Sequence, residues 1–123
     1  MMAMPGGSVP GLVFCERMQT MIYEHRTYRV QPGTLPQFIK TYQEHCFPVI
    51  GRYAKLIGCW ATESGKLNSV VFIWAYEDFG HRTEQRGKLA ADPAWGPAVQ
   101  KILPFLAQQE SFFMLPAPFS PAT

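Results

Sequence analysis

Two hydrophobic rhythms alternate along the chain, one of period two and one of three to four, and together they mark out six elements. The run Leu67–Tyr76 is apolar on both strand faces: Val71, Ile73 and Ala75 on one, Val70, Phe72, Trp74 and Tyr76 on the other. A strand apolar on both sides belongs in the middle of a sheet, covered above and below. Met21–Val30 predicts a first strand, with Ile22, Glu24, Arg26 and Tyr28 sharing one face and Tyr23, His25 and Thr27 the other. Lys55–Glu63 predicts a second, with Gly58, Trp60 and Thr62 opposite Ile57, Cys59 and Ala61. The turn residues Ser64-Gly65-Lys66 join it to the central strand as an antiparallel hairpin. Glu110–Leu115 predicts the last strand, stopped by Pro116, Pro118 and Pro121.

Between strands the rhythm lengthens. Leu35, Phe38, Ile39, Tyr42, Cys46, Val49, Ile50 and Tyr53 recur at helical spacing after Gln31-Pro32-Gly33, and Thr34-x-x-Gln37 has the form of a capping box. Pro48 lies inside this pattern and predicts a kink or a division. Asp78 can cap a short helix running to about Ala90, with His81, Arg82, Arg86 and Lys88 solvated. Asp92-Pro93 opens another, whose stripe is Trp95, Val99, Ile102 and Leu106 and which bends near Pro104.

Strand, helix, strand, strand, helix, strand is the α+β ferredoxin-like order βαββαβ: a four-stranded antiparallel sheet with both helical crossovers on one face. The uncovered face is expected to carry Phe72, Trp74 and Tyr76, joined by Trp60. Each such ring buries roughly 150–250 Å², so four exceed the roughly 300–600 Å² of the largest patch on an ordinary monomer. The cheapest cover is a second copy, sheet against sheet, so a homodimer is expected. The domain spans residues 21–121. Residues 1–20, rich in Met, Pro and Gly and with no basic residue ahead of the short apolar run, read as a flexible leader rather than a signal peptide.

Composition narrows the function classes. A formal net charge of +2 over 123 residues, with no basic stripe, argues against nucleic acid. No apolar run reaches the roughly 20 residues of a membrane span. Cys15, Cys46 and Cys59 fit neither a disulfide framework nor a zinc site, which points to reduced thiols and a cytoplasmic protein, with Cys46 and Cys59 as small core residues.

Candidate chemistry centres on Glu24, Arg26 and Tyr28, assigned with the aromatic face to the space between the two sheets. In a functional reading Arg26 holds a ligand carboxylate or enolate, Glu24 orients it or takes a proton, and Tyr28 donates a hydrogen bond. In a structural reading the cluster satisfies itself and fixes register. Trp60, Phe72, Trp74 and Tyr76 either wall an apolar ligand pocket or serve as core and interface anchors, and Thr62 offers a hydroxyl to the same space. His45 is the candidate general base among the histidines. His25 reads as a satisfied residue on the helix-facing side of the first strand, and His81 as helix surface. No metal site, phosphate loop or cofactor is implied.

The segments Ile22-Tyr23-Glu24-His25-Arg26-Thr27-Tyr28, Lys55-Leu56-Ile57-Gly58-Cys59-Trp60, Trp74-Ala75-Tyr76-Glu77, Ala91-Asp92-Pro93-Ala94-Trp95 and Pro118-Phe119-Ser120-Pro121 resemble, in order and spacing, the NIPSNAP family. That resemblance implies a dimeric α/β barrel, two ferredoxin-like sheets closed face to face, in a family without a settled enzymatic activity. Its wider superfamily includes cofactor-free monooxygenases, isomerases and haem enzymes. Phe72 stands where many NIPSNAP-like sequences carry histidine. The expected role is binding or interaction, with a small apolar acid as ligand between the sheets. The alternative is cofactor-independent oxygenation or isomerisation of a small aromatic or enolisable substrate.

Overall fold

A computed structural model describes residues 21–121; the leader expected over residues 1–20 lies outside them. The element order is β1 (Ile22–Val30), α1 (Leu35–Thr41), a π-helical segment (Tyr42–Cys46), α2 (Phe47–Ile50), β2 (Lys55–Ala61), β3 (Ser69–Tyr76), α3 (Phe79–Ala91), α4 (Trp95–Ile102), a 3₁₀ turn (Leu103–Phe105) and β4 (Leu106–Met114). The strands form one antiparallel sheet ordered β2-β3-β1-β4. This is the ferredoxin-like split arrangement, with all helices on one face, and β3 sits inside the sheet as its two apolar faces require.

Which face the helices cover is the reverse of the expectation. The core beneath them is built from Val70, Phe72, Trp74 and Tyr76 of β3, packed on Phe38, Tyr42, Cys46, Val49 and Ile50 of the first helical run and on Leu89, Ala98 and Ile102 of the second. Ile22, Glu24, Arg26 and Tyr28 pair directly with Tyr76, Trp74, Phe72 and Val70, so they too face the helices. A strand apolar on both sides carries no sign of which side the helices take, and here the larger rings fill the deeper layer. Trp60 is opposite Val71, not Phe72, and therefore lies on the open face with Ile73 and Phe112. His25 is on that face as well, stacked on Phe112 with centroids 4.5 Å apart.

Local departures have local causes. Thr34 forms no side-chain cap; its hydroxyl donates to the Gln31 carbonyl at 2.6 Å and closes the Pro32-Gly33 turn, where Gly33 has φ +85°. Pro48 cannot donate to the carbonyl four residues back, and the helix widens just before it into the π turn, with the Phe47 N–H reaching the Tyr42 carbonyl. Asp78 caps α3 as expected, accepting from the His81 N–H at 2.7 Å. Asp92 instead closes the turn between α3 and α4, accepting from the Ala94 N–H and the Tyr53 hydroxyl, so α4 begins only at Trp95. β4 starts at Leu106, earlier than its polar residues Gln108 to Glu110 suggested, because an edge strand leaves such residues in solvent.

Candidate functional site

Glu24 is fully buried on the helix side of β1 and is bonded from three directions. Arg26 Nη1 donates to its Oε2 at 2.8 Å, Arg82 of α3 donates through Nε and Nη2 at 2.9 and 3.2 Å, and the Ser111 hydroxyl of β4 donates at 2.6 Å. Burial alone would raise the carboxyl pKa, but the hydrogen bonds from Arg82, Ser111 and Arg26 outweigh it and bring it down to about 2. Arg26 in turn donates from Nε to the Tyr28 hydroxyl at 3.3 Å and from Nη2 to Gln109 Oε1 at 3.4 Å. The face of β1 that carries Glu24, Arg26 and Tyr28 is thus a single bonded row. Residues alternating along β4 and one turn of α3 complete it.

Beside this row, between β1, β4 and α4, lies a pocket of about 180 Å³. Arg26, Tyr28, Gln109 and Arg86 supply its polar wall, and Trp95 and Val99 are prominent in its apolar wall. No carboxylate among the described residues lines it. Arg86 stands four residues after Arg82, which brings both guanidinium groups to one side of α3. Unlike Arg82, Arg86 has no carboxylate within salt-bridge distance among the described residues. The sequence reading left Arg82 and Arg86 in solvent; their spacing of four, matched to a buried carboxylate on the neighbouring strand, was the available signal. Gln109 and Ser111 were missed because their face on β4 depends on register.

The other expected site residues are dispersed. Phe72, Trp74 and Tyr76 are core. Trp60 is separated from them by the thickness of the sheet. Thr62 turns its hydroxyl to the Lys66 carbonyl at 2.9 Å and closes the β2–β3 loop. His45 is exposed on the π segment and lines neither this pocket nor the apolar cleft beside α1. His25 is not on the helix side, and its Nδ1 has no hydrogen-bond partner among the described residues. His81 is no free surface residue, since its Nδ1 accepts from the Glu77 N–H at 3.1 Å. Cys46 is buried and donates its thiol to the Ala98 carbonyl at 3.5 Å, whereas Cys59, on edge strand β2, is exposed rather than core. No group of His, Cys, Asp or Glu among the described residues could hold a metal ion. No helix there is long and apolar enough to cross a membrane.

The NIPSNAP family pattern matches residues 23–121. The chain belongs to the NIPSNAP family. It is 35% identical over 95 residues to human NipSnap homolog 3A, an alignment covering 74% of this chain and 37% of that protein, and across the curated relatives the chain spans between 30% and 44% of their length. It superposes on the crystal structure of a NIPSNAP domain protein from Burkholderia xenovorans with TM-score 0.80 and 51% identity, over 81% of this chain and 98% of that one. A cofactor-independent oxygenase from Streptomyces nogalater, SnoaB, superposes with TM-score 0.58 at 14% identity over 83% of this chain and 98% of its own. At that identity the likeness is one of fold alone.

Proposed function

We propose that this NIPSNAP domain binds a small organic acid with an apolar ring or chain, in the pocket between the sheet and α4. The observation that carries this reading is the imbalance of charge. Arg26 and Arg86 line the pocket without a lining carboxylate, while the buried Glu24 is already shared by Arg26 and Arg82. An anionic ligand group would supply the missing countercharge, with Tyr28 and Gln109 beside it. Trp95 and Val99 would take the apolar part. The pocket is comparable to the roughly 150 Å³ apolar cavity known to admit benzene, which suits a single-ring acid. The ligand thus sits within one protomer, under the helices and away from the open sheet face.

The protein is a homodimer in this reading, for reasons other than those the sequence offered. The open face still carries exposed Trp60 and Phe112, half-buried Val71 and Ile73, and a buried Tyr23 hydroxyl without a partner among the described residues. The free thiols of Cys46 and Cys59 support a reducing, cytoplasmic setting. Catalysis finds less support than binding. Glu24, held ionised by its four hydrogen bonds, is too weak a base for proton abstraction at neutral pH.

The test is calorimetric titration with benzoate and with benzyl alcohol, which differ in the charged group. Saturable benzoate binding that falls steeply with salt, against none for the alcohol, is expected. Equal binding of the two, or of neither, would reject the acid-binding reading.

A further inference from the structure

On the far side of Tyr28 lies a second cavity, of about 280 Å³, between α1, the π segment and the β2–β3 edge of the sheet. The Tyr28 ring stands between the two spaces: it lines the cationic pocket and packs on Phe38, Tyr42 and Phe72, which line the cleft, at centroid distances of 5.9, 6.5 and 5.4 Å. No charged side chain among the described residues lines the cleft. Its walls are aromatic and aliphatic, with the Gln43 amide, the Cys59 thiol and Tyr42 as the polar exceptions. Tyr42 is only 6% exposed, and its hydroxyl has no hydrogen-bond partner among the described residues. The hydroxyl keeps contact with solvent, so it is free to donate to an acceptor that enters the cleft. The widened π turn, closed by the Phe47 N–H to the Tyr42 carbonyl, begins at this residue, and π turns recur at functional sites.

We infer that this cleft is a second small-molecule site, distinct from the acid pocket, for an uncharged ring compound whose carbonyl oxygen accepts a hydrogen bond from Tyr42. Charge sorts the two cavities. The arginine-lined pocket favours an anion, whereas an anion in the cleft would lose its hydration and gain no countercharge. The ring of such a ketone would lie among Phe38, Tyr42 and Phe72, entering past Ile39 and Phe47, which are 39% and 40% exposed. Burial holds the Tyr42 phenol well above its ordinary pKa, so it is a protonated donor at neutral pH.

The probe is 1-tetralone, with tetralin as the same ring system without a carbonyl, each titrated into the isotope-labelled full chain while amide shifts are followed by NMR. Saturable shifts at Ile39 to Phe47, Cys59 and Phe72 are expected, with the ketone binding roughly three- to tenfold more tightly than tetralin, the worth of one net hydrogen bond. Tyr42→Phe should abolish that difference and leave tetralin binding unchanged. Ile39→Arg, at the exposed mouth, should weaken both, and saturating benzoate should leave the tetralone curve in place. If benzoate fails to bind while tetralone behaves as described, the acid pocket alone falls and this site stands. Shifts confined to α4 and Arg86, displacement by benzoate, absence of saturable shifts, or an undiminished ketone preference in Tyr42→Phe would each overturn it.

Discussion

Arg82 grips Glu24 through two nitrogens, at 2.9 and 3.2 Å, and so fastens α3 to the centre of the sheet across the core. The carboxylate is out of reach of solvent, and its value lies in being charged. Glu24→Gln keeps the shape but leaves two guanidinium groups facing a neutral amide. Breaking a buried ion pair on one side costs about 3–5 kcal/mol, and the loss should appear as a lower midpoint in urea with an unchanged slope.

The same carboxylate sets the acid limit of the fold. Its pKa is about 2 in the folded chain against 4.5 ordinarily, so the unfolded chain binds its proton first as pH falls. The stabilisation is complete above pH 4.5 and drains away between there and about pH 2. It amounts to on the order of 3 kcal/mol. Urea midpoints followed from pH 6 to pH 2.5 should fall for the parent chain and flatten for Glu24→Gln. A parallel fall in both would assign the acid sensitivity to other carboxylates.

Arg86 separates binding from folding where Arg26 cannot. Arg26 is bonded to Glu24, so replacing it disturbs the buried network. Arg86 has no such partner among the described residues. Arg86→Gln is expected to leave stability within about 0.5 kcal/mol and to weaken benzoate at least tenfold, as loss of a charge-assisted bond would. Calorimetry and urea unfolding on the same preparation check both halves. Unchanged benzoate affinity would take Arg86 out of the pocket's function.

The sequence disclosed the order of elements, the central place of β3 and the cap at Asp78, because each rests on local residue choice. It also showed that Glu24, Arg26 and Tyr28 form one row. What it concealed was handed on by pairing. Trp60 joins Val71 rather than Phe72 through the register of the β2–β3 hairpin, with an irregularity between Leu56 and Gly58 further along. No residue type records which of two apolar faces a helix will choose. The partner of Glu24 on α3 and the alignment of Gln109 and Ser111 with Arg26 and Tyr28 exist only once that choice is made. The proposed acid pocket was therefore legible in two of its four polar residues, Arg26 and Tyr28, and its position, under the helices rather than between sheets, was not legible at all.

The two described thiols should differ in reactivity. Cys46 is buried against the Ala98 carbonyl and its thiol is pushed up to about 11, so a disulfide reagent should leave it unlabelled until the chain unfolds. Cys59 is exposed at the cleft, with its pKa also raised by desolvation, so it should react in the native state, slowly at neutral pH and faster as pH rises. In a Cys15→Ser background, mass spectrometry should find one added label on the native chain and two after urea. A second label on the native chain would place Cys46 within reach of solvent.

The indole of Trp60 lies over Gly58, filling the space a side chain there would need. It offers the open face a broad apolar surface, 52% exposed in the single chain. If a second copy covers that face, the ring is a central anchor, and anchors of this kind carry about 2 kcal/mol or more of an interface. Trp60→Glu should then raise the dimer dissociation constant at least tenfold. Gly58→Ala should do the same without adding charge, because the new methyl group displaces the indole from the sheet. Neither change touches the core beneath the helices, so folded monomer rather than unfolded chain is the expected product. Sedimentation equilibrium with circular dichroism distinguishes the two. A parent chain already monomeric at micromolar concentration would leave the open face without its partner copy.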